Sequence, residues 1–218
     1  ILAGGKGTRL DPVTRGLSWF DYIGAENLRE ACAPGASTRL RFVYNGDYDT
    51  QIRTFDLFAL PGGRGASMSA WVRGKIDLTQ AVRAQDILAP WDGKRVDSVL
   101  DHQAMTTLLR ALGSDDLQGF KPVGVRLMSN EYYWIVTGCL DGRFHANAWL
   151  YPSDRFRALR FPAVLMEHDG TGIALAKAIP VGRRYDEPTK TMGGSDRGDD
   201  VFEIEIGANR IAVARGLF

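Results

Sequence analysis

The chain has 218 residues, 44% hydrophobic and 24% charged, an ordinary globular composition that supports one full domain or two small ones and excludes wholesale disorder. A balance of 27 basic against 26 acidic residues leaves a net charge of +1, with the basic residues scattered and mostly single, so no global field draws in nucleic acid. No apolar run approaches the roughly 20 residues of a membrane-spanning helix.

Residues 1–14, ILAGGKGTRLDPVT, set Gly4, Gly5 and Gly7 around Lys6, with Thr8 and Arg9 directly behind. Glycines this dense bare backbone N–H groups to a phosphate, because no Cβ stands in the way and positive φ is tolerated. Leu2, Ala3, Gly4, Gly5, Gly7, Thr8, Arg9, Leu10, Pro12 and Thr14 resemble the opening signature of the sugar-1-phosphate nucleotidyltransferases. The resemblance implies a nucleotide-binding loop in which Gly4, Gly5, Gly7 and Thr8 surround the phosphates and Arg9 reaches them. That family follows its loop closely with a Lys-Pro element. Here RGLSWFDYIGAENLREACAPG follows, and the next lysine after Lys6 is Lys75. The same opening also reads as the end of an export signal's apolar core, Ile-Leu-Ala-Gly before small residues. On that reading residues 1–16 form a flexible tail and 17–218 a single domain. Membrane association would then run through a removed or modified N-terminus; a lipid anchor would need Cys where Gly5 stands.

Trp19, Tyr22, Ile23 and Leu28 recur at near-helical spacing across a break at Gly24, which predicts an aromatic turn and then a helix over 25–32, stopped by Pro34-Gly35. RLRFVY and QIRTFDLFAL both alternate, predicting an antiparallel pair, 39–44 with 51–60, whose loop carries the turn-favouring Asn45-Gly46. After the turn PGGRG, ASMSAWVRG reads as a third strand centred on Trp71. DLTQAVRAQDIL predicts a helix over 77–88 with Asp77 as N-cap. Val96, Val99, Leu100, Met105, Leu108, Leu109 and Leu112 recur at i, i+3 and i+4, predicting a helix over 96–112 capped by Gly113. VGVRLMS returns to strand. YYWIVTGCL and RFHANAWLY flank Asp141-Gly142, the strongest hairpin signal, and VFEIEI with RIAVARG makes a last hairpin. Residues 152–200 carry no clear pattern, and 182–200 reads as a mobile polar loop. The whole predicts an α+β fold: a mostly antiparallel sheet built from hairpins, with two or three inserted helices.

Cys32 and Cys139 are the only cysteines and form no Cys-x-x-Cys, which argues against a zinc or redox motif. They either pair, as an exported chain permits, or lie apart as buried thiols. Of the three histidines, His145 on a hairpin strand is the best acid–base candidate, while His102 sits in a predicted helix. Glu167, His168 and Asp169 contain cation-ligand types, but adjacent residues diverge in direction, so a charged turn is expected. Asp115-Asp116 and Asp199-Asp200 fall in turns. Arg39, Arg41, Arg53 and Asp56 are expected on the polar face of the first hairpin, as an anion surface or an ion-pair ladder. Five tryptophans raise the alternatives of a stacking face for a flat ligand or a core under the helices.

No residue set points to catalysis, a metal or a cofactor. The expectation is a binding or interaction domain of the bacterial cell envelope, periplasmic rather than cytoplasmic, with an unknown ligand or protein partner and no nucleic acid. The alternative is a transferase using Gly4, Gly5, Gly7, Thr8 and Arg9. A phosphate loop needs a helix N-terminus and a carboxylate-held metal to offset charge, and neither is signalled behind Gly7. Nucleoside triphosphates with Mg²⁺ should therefore bind weakly in calorimetric titration; saturable binding below about 100 µM, abolished by Arg9→Ala, would restore the transferase.

Overall fold

The computed structural model describes residues 20, 22–48, 50–74, 93–179 and 201–215, with side chains as far as Ala212. The Gly-rich loop, the predicted helix 77–88, the loop 182–200, Asp199-Asp200, Trp19 and Trp91 lie outside the described residues.

A six-stranded antiparallel sheet is the frame, in the order β4-β3-β2-β1-β6-β7. Its strands are β1 (Arg39–Gly46), β2 (Gln51–Ala59), β3 (Ala66–Gly74), β4 (Lys94–Leu100), β6 (Tyr132–Leu140) and β7 (Arg143–Leu150). A second sheet, β5-β8-β9, joins β5 (Arg126–Met128), β8 (Glu203–Ile206) and β9 (Ile211–Arg215). The helices are α1 (Glu26–Glu30), α2 (His102–Ser114), α3 (Asp154–Arg157) and α4 (Phe161–Glu167). The fold is thus α+β and dominated by antiparallel hairpins, as the alternation patterns predict.

Strand β6 shows why this sheet is central. Its run YYWIVTGCL is buried at every position but the last, because one set of alternate residues meets helices and the other meets the second sheet. On the helix side Phe42, Phe55, Trp134 and Trp149 surround Phe161 of α4, and α2 adds Met105, Leu108 and Leu112. Phe161 sits 5.4 Å from Phe42, 5.2 Å from Trp134 and 5.6 Å from Trp149, ring centroid to ring centroid. On the other side Val43, Ile52, Tyr133 and Ile135 pack against Leu127, Phe202, Ile204 and Ile206. The β6–β7 turn is the predicted Asp141-Gly142, both with positive φ (52° and 70°). A Cβ on Gly142 would stand 2.8 Å from Pro34 Cα, so the turn also needs glycine for the close approach of the segment behind α1.

Four local expectations are corrected. Val96, Val99 and Leu100 belong to strand β4, not to a helix over 96–112. Their i, i+3, i+4 spacing suits a helix, but β4 pairs along its length with β3, from Ala66–Leu100 to Val72–Lys94, and leaves Val99 exposed. The helix starts only after Asp101, whose carboxylate accepts from Ala104 N at 2.8 Å. Gly113 does not cap it: the chain turns at Asp116, φ 64°, with Leu117 N donating to Leu112 O and Asp116 N to Gly113 O, a Schellman end with Asp in the glycine position. Asn45-Gly46 is not the turn of the first hairpin either. Both residues remain in β1, Asp47 takes the positive φ (58°), and the buried Asn45 amide donates to Ser129 O and Glu131 O. Finally, the unpatterned stretch after Pro152 contains α3 and α4. Helix α4 begins Phe161-Pro162, and its first N–H groups are met from a distance by the Asp115 carboxylate, which accepts from Arg160 N and Phe161 N.

Behind α4 the chain turns at Gly170-Thr171 and runs outside any helix or strand over residues 169–178. Side chains of the first hairpin hold it. Arg53, fully buried, pairs with the Asp169 carboxylate and donates to Ile173 O. Gln51 donates to Ala174 O at 2.9 Å and accepts from Ala176 N at 3.0 Å, and Tyr44 donates to Ala176 O at 2.6 Å. Burial pulls the Arg53 pKa down and the Asp169 charge resists that. Removing one partner of such a pair strands a buried charge, so Arg53→Met should cost about 3–5 kcal/mol by denaturant unfolding, while Arg53→Met with Asp169→Leu should recover most of it.

Candidate functional site

A pocket of about 210 Å³ opens between α1, the second sheet and the outer part of β6–β7. The chain enters through a helical turn holding Phe20 and Ile23, closed by Gly24 N donating to Phe20 O at 2.8 Å. It then crosses Gly24 and Ala25 into α1, and all of these line the space. Two fasteners hold the arrangement. At one end Arg41 donates to Gly24 O at 2.6 Å while it pairs with its cross-strand neighbour Asp56 at 2.6 Å. At the other, Cys32, two residues beyond α1, is disulfide-bonded to Cys139 of β6, with Cα atoms 5.3 Å apart. The cysteines therefore pair, resolving the alternatives left by the sequence.

The walls are mostly apolar: Phe20, Ile23, Ala25, Phe144, Ile204 and Ile211. Three polar side chains join them. Glu26 stands at the exposed rim. Arg29 lays its guanidinium over the Phe144 ring, 5.0 Å from the centroid, and donates through Nη2 to Asn209 O. Asn209 in turn donates to Phe144 O at 2.8 Å, tying the β8–β9 turn to the β7 edge. Arg29 Nε is buried with no hydrogen-bond partner among the described residues; its nearest anion is Glu26, 3.9 Å away. Thr137, on the same face of β6 as Cys139, is fully buried, and its hydroxyl is likewise without a partner. A buried donor left unpaired costs about 1–3 kcal/mol. Two in one pocket make it receptive to an acceptor.

None of the residues marked from sequence for acid–base or metal chemistry lines this pocket. His145 pairs with Gly138 and so projects from the helix-covered face, away from it. Burial depresses its pKa, the Lys121 and Arg143 charges push the same way, and Asp141 opposes them. Lys121 is itself lowered by burial, with its amine donating to Leu117 O and Ala146 O. His102 is exposed at the start of α2, with Nδ1 2.8 Å from Gly63 O. His168 follows α4, and its carbonyl accepts from the Ser98 hydroxyl. Glu167, His168 and Asp169 do not converge, since Asp169 turns inward to Arg53, and no group among the described residues could hold a metal ion.

Two surface expectations also change. Arg39, Arg41 and Asp56 share a sheet face, but Arg53 lies on the opposite one, in register with Tyr44, so the four do not form one anion surface. Trp134 and Trp149 are core residues at 2% and 1% exposure, with Trp149 Nε1 donating to Asp115 O. Trp71 is half-buried on the other face against Tyr22, 4.5 Å between centroids. The tryptophans described are thus divided between faces and do not form a stacking platform. Arg29, Thr137 and Phe144 carried no sequence signal, because they come together only through long-range packing. Searches of family models, curated proteins and solved structures found no match to the chain.

The depressed His145 pKa has a defined sign. The folded state binds the proton less readily than the unfolded chain, so this contribution is fully present above pH 6.5, is lost as pH falls below that value, and levels off beneath the lowered folded pKa. Melting temperatures measured across that window should fall less steeply for His145→Gln than for the wild type.

Proposed function

We propose that this chain is a non-enzymatic binding domain of the bacterial cell envelope and takes a small, largely apolar ligand in the pocket between α1 and the two sheets. The observation that carries this reading is the pocket itself: apolar walls with a few polar groups at fixed places, two of them lacking partners among the described residues. Its volume of about 210 Å³ exceeds the roughly 150 Å³ of an apolar cavity that admits benzene. The Cys32–Cys139 bond is compatible with an oxidising compartment, where such bonds persist. Elsewhere, buried acidic residues serve the fold: Asp115 meets the start of α4 and Asp169 pairs with Arg53.

Indole is a suitable neutral probe, since its size fits the space and it carries no charge to bias the result. Amide spectra of the disulfide-intact chain titrated with indole should show saturable shifts at Ala25, Thr137 and Phe144. Absence of shifts at these positions up to the solubility limit would overturn the reading. In cells, Cys32 and Cys139 should resist alkylation until a reductant is added, and ready labelling would remove the envelope assignment.

A further inference from the structure

Resting on the reading of this pocket as a binding site, we infer that its ligand is a small monocarboxylic acid with an apolar body, a single aromatic ring or a chain of about six to eight carbons. The apolar part follows from the walls. Phe20, Ile23, Ile204 and Ile211 offer no hydrogen bonds and reward a ligand that leaves water.

The acid follows from what the polar groups lack. Arg29 is a permanent cation with donors only. Its Nη2 is used by Asn209 O and its face by Phe144, which fixes the guanidinium and leaves buried Nε without an acceptor. The Thr137 hydroxyl, fully buried in the same pocket, has a proton to donate and no acceptor either. A carboxylate is acceptor-only and offers two oxygens, so it satisfies donors of both kinds without introducing a new unpaired proton. An alcohol meets the same groups without charge assistance. An amine brings a second cation beside Arg29. Glu26 does not already serve as the acceptor: its carboxylate stands 3.9 Å from Nε, beyond hydrogen-bond distance, and its side chain is 69% exposed. Its charge at the rim opposes an anionic ligand, which gives the proposal a distinctive test.

The experiment is calorimetric titration of the full, disulfide-intact chain with phenylacetate and hexanoate, beside benzyl alcohol, hexanol and hexylamine. The acids should bind at least about tenfold more tightly than the matching alcohols, about 1.4 kcal/mol. Glu26→Gln, a substitution at an exposed side chain, should strengthen acid binding several-fold and leave alcohol binding unchanged. Thr137→Val, which keeps shape and removes the hydroxyl, should weaken the acids, and Arg29→Gln should abolish their preference over alcohols. Should Arg29→Gln fail to fold, the Glu26→Gln comparison still decides the matter. Alcohols binding as tightly as acids, hexylamine binding best, or acid affinity indifferent to Glu26→Gln would each overturn the carboxylate while leaving the pocket reading intact. Failure of every probe, indole included, would overturn both.

Discussion

Strands β1 and β6 are buried on both faces, and a two-sided sheet of this kind cannot persist in water without a cover on each side. Most of the structure answers that demand. Helices α2 and α4 close one face through Leu108, Leu112 and Phe161; the small β5-β8-β9 sheet closes the other through Leu127, Ile204 and Ile206. Burial of one large apolar side chain contributes roughly 1.5–3 kcal/mol, and both covers supply several, so hydrophobic burial outweighs any individual polar contact. The polar contacts decide something else: where each cover sits.

On the helix side the positioning is done by buried side-chain-to-backbone bonds. Arg53, Gln51 and Tyr44 hold the irregular run after α4, and Asp115 holds the start of α4. The run needs no ladder of its own because the sheet's side chains meet its carbonyls and N–H groups. On the opposite side α1 is fastened by the Arg41 contact to Gly24 O and by the disulfide, which closes a separation of 107 residues. A cross-link over so long a loop restricts the unfolded chain by about 4.7 kcal/mol in the entropic account. Its geometric effect matters as much for the pocket. The fasteners attach at the two ends of α1, at Gly24 before it and Cys32 after it, so the helix is fixed over the space it lines.

That space brings two unmatched polar groups together. In the core Arg53 Nε also lacks a partner among the described residues, while the buried Asn147 amide is matched, donating to both Asp116 O and Phe120 O. In the pocket, Arg29 Nε and the Thr137 hydroxyl are not. Local departures from satisfied burial are where function tends to be found, since a fold retains an unmatched group only against a cost.

The sequence by itself determined the hairpins. Alternation in 39–44, 51–60 and 66–74, and Asp141-Gly142 between two apolar runs, specify local geometry through side-chain period and turn chemistry alone. It also supplied the α+β class and the two cysteines. It did not decide the state of 96–100, where Val96, Val99 and Leu100 suit a helix as well as a strand until β3 offers an edge to pair with. Nor did it reveal α4 or the irregular run behind it, whose partners Asp115, Arg53 and Gln51 are distant along the chain. The pocket was the least legible part, being assembled from residues 20–29, 137–144 and 204–211. Short-range pattern records which way a side chain alternates. Which distant side chains share a cavity is set by how two covers dock on one sheet, and that is a property of the tertiary structure only.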